Sequence, residues 1–300
     1  MIIQSVAGLF VFSGIAWLIS ENRTQVKIKL VIAGIVIQLV IGFIFLKLPF
    51  FRSFFISLNH LVLSLEASTK AGTSMVFGYL GGGDLPFAEK FPGSSFILAF
   101  QALPLILVIS ALSSLLFYWK ILPMVVRSFS YALQKTLGLG GAEGLGVSAN
   151  IFVGMVESPL FIRPYLNEMT RSEIFTLMTS GMATIAGTVM VLYASILSKA
   201  IPDIMGHILM ASIISVPAAI TISKIMIPET RECTSGGLTP PEPALSAMDA
   251  ITKGTIQGVQ LLINIIAMLI VLVALVHLLN LMLGILPDIG GHPVSLQRIS

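Results

Sequence analysis

Charge is what this sequence has least of. Only 10% of its 300 residues are Asp, Glu, Lys or Arg, against 56% hydrophobic ones, and the mean hydropathy is +0.98. A soluble domain carries about 25% charged residues, so an ordinary aqueous surface is excluded and the solvent is a bilayer. Cysteine is nearly absent as well. Cys233 stands alone, which rules out an intrachain disulfide and any Cys/His framework for structural zinc. The histidines, His60, His207, His277 and His292, are isolated from one another. No Ser-His-Asp order, paired acids or HExxH stretch occurs, so an intramembrane hydrolase has no catalytic set to draw on. The basic residues that give a net charge of +3 and a pI near 9.0 are scattered singly, without interleaved aromatics, and nucleic acid is not an implied partner. The glycine-rich LGLGGAEG lacks the Lys-Ser/Thr that completes a phosphate loop.

Long apolar runs are what the sequence does have. A helix needs about 20 apolar residues to cross roughly 30 Å of hydrocarbon. Six stretches meet this, 2–20, 29–48, 95–118, 173–198, 204–227 and 256–284. They are too long for barrel strands, so each is expected to be a helix, and the fold class is an all-α integral membrane protein. The first stretch has neither a basic n-region nor a clear cleavage site and reads as a retained helix. Residues 49–72 and 118–138 mix Phe and Leu with Arg52, Asn59, Glu66, Lys70, Lys120, Arg127 and Lys135, as helices lying in the interface do. The Pro-, Gly- and Ser-rich PETRECTSGGLTPPEP, at 228–243, is the clearest extramembrane loop.

Four regions follow: three spans with an interfacial helix (1–118), a second interfacial helix with the segment 143–166 and two further spans (119–228), a cytoplasmic loop (229–254) and a last span with a tail (255–300). If the loop after the first span is cytoplasmic, that side holds Arg23, Lys27, Lys29, Lys120, Arg127, Lys135, Arg163, Arg171, Lys224, Arg231 and Lys253, eleven of the 17 basic residues. The positive-inside bias then turns the N-terminus outward.

That orientation requires residues 143–166 to enter and leave on one side. The stretch GLGVSANIFVGMVESPLFIRPYL (144–166) is apolar but carries Glu157 at its middle and Arg163 near its end. As a single span it would strand a carboxylate in lipid. A re-entrant hairpin of two half-helices, turning near Gly154 to Pro159, avoids this and frees backbone carbonyls at its tip. In the fourth span Ser180, Thr184 and Thr188 recur every four residues and form a hydroxyl stripe, while Gly181 and Gly187 permit close helix approach or a local break. Structural readings stand beside the functional ones. Glu157 can pair with Arg163 or cap a half-helix, Asn150 can bond between helices, and the stripe can serve packing.

The segments AEGLGVSANIFVG, VESPLFIRPYLNEMTRSEIFTLMTSGMATIAGTVMVLYAS and, more loosely, SVPAAITISKIMIPET resemble the concentrative nucleoside transporters, and the likeness covers most of the chain. The resemblance implies half of an inverted-repeat transporter core, a homotrimer in the cell inner membrane, and import of nucleosides by cotransport with sodium rather than by an enzyme or a bound cofactor. It assigns Asn150, Val153, Thr184 and Ile185 to sodium, Glu157 to the nucleobase and Val189 to base packing. Retention of Asn150 favours sodium over protons. Where the family has Gln then Thr, this chain has Met155 and Val156, which form an apolar wall and put base discrimination in question. The sequence stops at HPVSLQRIS, before the family's Asn-Glu-Phe hairpin and last two spans, so half of the usual binding site is expected here. The competing expectation is a membrane protein that does not transport.

Overall fold

A computed structural model describes residues 2–47, 49–89, 91, 94–155, 158–197, 201, 204–236 and 244–284, and every regular element among them is helical. The N-terminal helices are α1 (Ile2–Ile19), α2 (Ile28–Lys47) and α3 (Pro49–Phe77). After a loop come α4 (Leu98–Gln101), α5 (Leu105–Tyr118) and α6 (Ile121–Leu137). Short pieces follow, α7 (Gly141–Asn150) and α8 (Ser158–Phe161), and then α9 (Arg171–Ala183) and α10 (Gly187–Leu197). Two long helices, α11 (Ile204–Met226) and α12 (Ala247–Leu283), complete the set. By length and apolar composition, Ile28–Phe45, Leu98–Tyr118, Ile204–Met226 and Ala247–Leu283 can each cross a bilayer.

Where elements depart from the sequence expectation, local chemistry explains it. The third span is divided between α4 and α5 next to Pro104, whose ring has no N–H to continue the ladder. The fourth is not one helix: α9 stops at Ala183 and α10 starts at Gly187, with Thr184 extended at φ −113°, ψ 160°. The span breaks before Gly187, and the hydroxyl stripe does not run on past Thr184 as a continuous helical face. Helix α12 begins within the expected loop, because Ser246 caps it by accepting the Asp249 N–H at 3.1 Å and Asp249 pairs with Lys253 at 3.2 Å.

The hairpin is the centre of the molecule. Every residue of α7 from Ala142 to Asn150 is buried, and the largest apolar cluster gathers Val126 and Leu133 from α6, Leu145 and Val147 from α7, Phe161 from α8, Leu177 from α9 and Ile220 from α11 around it. Phe117 stacks on Phe161 at 4.7 Å, and Phe129 meets Phe152 edge-on at 5.7 Å. The returning arm is less regular than a half-helix. Among the described residues it holds the four residues of α8 and a 3-10 turn at Arg163–Tyr165, with Pro159 and Pro164 in their first turns. Both arms return to the same end: the Ala142 N–H donates to the Thr234 carbonyl at 3.3 Å, and Thr234 Oγ1 lies 3.1 Å from the Glu168 carbonyl. The loop after α1 arrives there as well, through Glu21, whose N–H donates to the Met226 carbonyl at 3.0 Å and whose carboxylate pairs with Arg171 at 2.6 Å.

Small residues set the closest helix contacts. A Cβ at Gly34 on α2 would strike the Thr221 hydroxyl on α11, and Cβ atoms at Gly254 and Gly258 on α12 would come within 2.6 Å of the Ser110 carbonyl and 3.1 Å of Leu107 Cα on α5.

Candidate functional site at the hairpin tip

The tip of the hairpin meets the break between α9 and α10. Helix α7 ends at Asn150, and the turn that follows needs Gly154, whose φ of +115° strains any L side chain. The Ser158 N–H closes the turn onto the Gly154 carbonyl at 3.0 Å, and Ser158 Oγ donates to the Gly146 carbonyl at 2.8 Å, tying the second arm to the first.

Asn150 joins the two broken elements. Its Nδ2 donates to the Ser180 carbonyl at 3.2 Å and to Thr184 Oγ1 at 2.5 Å, and Thr184 Oγ1 donates in turn to the Ser180 carbonyl at 2.8 Å. The side chain is 2% exposed, and its other amide atom, Oδ1, is buried without a hydrogen-bond donor among the described residues. A buried amide oxygen in this state costs about 1–3 kcal/mol unless something completes it. Gly181 keeps the surroundings open: a Cβ there would lie 3.9 Å from Asn150 Oδ1 and 2.9 Å from Met155 Cβ. On the other side, the Gly187 N–H donates to the Phe152 carbonyl at 3.2 Å, and the Ile185 N–H donates to Ser212 Oγ of α11 at 3.4 Å.

The structure thus brings Asn150 and Thr184 into direct contact and sets Val153 in the turn and Ile185 in the break. The side chains of Val153 and Ile185 pack into the apolar clusters, so either residue can offer a cation only its backbone carbonyl. Met155 is 57% exposed and lies over Gly181, and Val189 is half-buried in the first turn of α10. Glu157 and Val156 lie outside the described residues, and so does the side chain of Thr188. Among the described residues no group of three His, Cys, Asp or Glu side chains could hold a metal ion. The donors at the tip are an amide, a hydroxyl and carbonyls, the hard neutral oxygens that suit an alkali cation.

The sequence reading missed the buried network at the hairpin's base. Lys224, counted there as a cytoplasmic loop charge, is 6% exposed within α11, with its Nζ 2.8 Å from Glu143 Oε1 and 3.4 Å from Glu229 Oε2. Removing it from the topological count leaves ten basic residues against six, so the bias keeps its sign. Glu143 is fully buried; Oε1 has this charge contact without an aligned hydrogen bond, while Oε2 accepts from the Gly140 N–H at 3.3 Å. Glu173 closes a capping box with Thr170 at the start of α9 and also accepts from the Thr234 N–H and hydroxyl, both at 2.8 Å. Burial works to raise the Glu229 carboxyl, but the Thr170 hydroxyl at 2.7 Å, the Arg231 N–H and the Lys224 charge outweigh it and hold the group below the ordinary carboxylate range. A lone lysine inside an apolar span demands a partner, and that was the signal available.

Comparison with known proteins adds to this geometry. Residues 7–80 match the family described as Na+ dependent nucleoside transporter N-terminus, 207–300 the corresponding C-terminus, and 99–200 a family described as nucleoside recognition. The chain is 34% identical over 277 residues to the nucleoside permease NupC of Helicobacter pylori, covering 92% of this chain and 64% of that protein. It is 35% identical over 287 residues to the uncharacterized transporter YutK of Bacillus subtilis, covering 94% and 68%. The fold superposes on CNTnw in an inward-facing substrate-bound state with a TM-score of 0.88 at 30% identity, over 99% of this chain and 69% of that one. The chain spans about two thirds of the length of these relatives.

Proposed function

The chain belongs to the family of sodium-dependent nucleoside transporters, and on that premise we propose that it imports nucleosides by secondary active transport coupled to sodium. The observation that carries the reading is Asn150, which pins the hairpin tip to the break in the fourth span and keeps Oδ1 without a donor. In this reading sodium takes Asn150 Oδ1, Thr184 Oγ1 and the carbonyls of Val153 and Ile185. Helix α7 has ten residues, about 15 Å at 1.5 Å per residue, so a hairpin entering from one surface sets this site near the bilayer midplane. Ordering the tip around the ion then prepares the adjoining surface for substrate. Glu157 binds the nucleobase side, and Met155, Val156 and Val189 supply apolar packing. The wall at Met155 and Val156 cannot donate hydrogen bonds to a base edge, so discrimination between bases is expected to be weak.

The same reading places the protein in the cell inner membrane as a multi-pass homotrimer with its N-terminus outward and the basic end of the hairpin inside. Alternating access comes from the hairpin and the fourth and fifth spans moving as a unit against α5 and α12. The test is uptake of labelled nucleosides into vesicles under an imposed sodium gradient, beside an equal proton gradient. Sodium-driven uptake is expected, abolished by Glu157→Gln with insertion intact and made less sodium-dependent by Thr184→Val. Uptake that follows the proton gradient alone, or unchanged sodium titration in the Thr184 variant, would reject the ion assignment.

A further inference from the structure

The buried charge at the hairpin's base has no part in the transport cycle described above, yet its placement ties it to the tip. Asn150 stands seven positions after Glu143 on α7, and Ser180 stands eight after Ser172 on α9, each about two turns at 3.6 residues per turn. The two helices are therefore cross-linked twice, at matching heights. At the tip, Asn150 donates to the Ser180 carbonyl at 3.2 Å. At the base, Lys224 Nζ lies 2.8 Å from Glu143 Oε1 on α7 and donates to Ser172 Oγ on α9 at 3.2 Å. Between these levels the helices touch closely, since a Cβ at Gly146 would come within 2.7 Å of Leu177 Cδ1. A slide of α7 along α9 by one residue is about 1.5 Å, enough to part Asn150 from Ser180 and Thr184.

We propose that Lys224 is a positioning residue of the cation site: held at the base between Glu143, Ser172 and Glu229, it fixes the axial register of α7 against α9 and thereby seats Asn150 on Ser180 and Thr184. The proposal rests on the sodium reading of the tip. Three features make Lys224 suited to the task. Its ammonium is almost wholly buried and can reach no alternative partner in water. It projects from a third helix, α11, which also contacts α9 through Ser223 Oγ to Thr176 Oγ1 at 3.0 Å. Its third partner, Glu229, anchors the loop that brings Thr234 across the hairpin's mouth.

The experiment is the melting temperature of the purified full chain, titrated with sodium chloride against choline chloride. The wild type is expected to gain stability with sodium, and Thr184→Val to lose that gain. Lys224→Met is expected to raise the half-maximal sodium concentration on the order of tenfold, the usual effect of removing a partner that supports a metal ligand. A purely structural ion pair would lower the baseline melting temperature and leave the sodium midpoint where it was, and that result overturns the proposal. If Lys224→Met does not fold, the pair Glu143→Gln with Lys224→Met, which removes the fully buried Glu143 charge together with its partner and leaves Glu229 the Thr170 and Arg231 hydrogen bonds, decides by the same midpoint. A wild type that ignores sodium sinks the cation reading, and the positioning role with it. A responsive wild type with an unmoved Lys224 variant removes the positioning role alone.

Discussion

At the scale of single residues, the molecule separates side chains that are satisfied from those that are not. Glu173 receives donors from Thr170 and from both polar groups of Thr234, and it behaves as a helix cap. Asn150 keeps an orphan oxygen in a buried setting, and the ion reading grows from that difference. Glu229 carries the clearest pH consequence. Its folded-state carboxyl lies below the ordinary value of 4.5, so its stabilising contribution is whole above that value and drains away as the pH falls through the depressed one. The expected outcome is a melting temperature that drops on acidification below pH 4.5 more steeply in the wild type than in Glu229→Gln; identical acid limbs would show that the Thr170 and Lys224 contacts do not hold the carboxylate. Asn150 and Thr184 could be picked from the sequence through their resemblance to a family motif. Lys224 could not be placed so easily, because its sequence neighbours look like the end of a span and its partners lie on three different elements.

At the scale of elements, breaks matter more than spans. The fourth span is interrupted: Thr184 and Ile185 leave the helical ladder, and Gly187 restarts it against the Phe152 carbonyl. A Cβ at Gly187 would lie 2.5 Å from that carbonyl oxygen, a backbone atom that cannot step aside. Gly187→Ala is therefore expected to lever the hairpin tip away from α10, lowering both the melting temperature and the sodium response. Gly72→Ala, where no described residue lies within 4 Å, is the matched control and is expected to stabilise α3 by up to about 1 kcal/mol through helix propensity. Equal behaviour of the two variants would mean that the contact between Gly187 and Phe152 is not needed. Hydropathy located the apolar runs but did not choose between a tight helix contact and a break, since glycine serves both.

At the scale of the whole molecule, the loop after α1, the start of α9, the end of α11 and the loop through Thr234 gather at one end, with both arms of the hairpin returning to it. Cysteines at Lys135→Cys and Asn167→Cys, exposed positions flanking the hairpin, are accordingly expected to react with an impermeant maleimide from the same side as the native Cys233. Labelling of the two from opposite sides would make the segment a span and remove the site at its tip.

Composition by itself determined that this chain lives in a bilayer, because 56% hydrophobic residues leave too little polar surface for water, and lipid then compels helices by leaving backbone groups no other partner. The glutamate in mid-run likewise foretold a hairpin, since a single span would have exposed its charge to hydrocarbon. Tertiary structure alone decided which oxygens face one another and which lysine is a loop charge and which a buried brace. Those outcomes depend on where three helices cross, and helix crossing is set by packing between residues far apart in the chain, which no local pattern records.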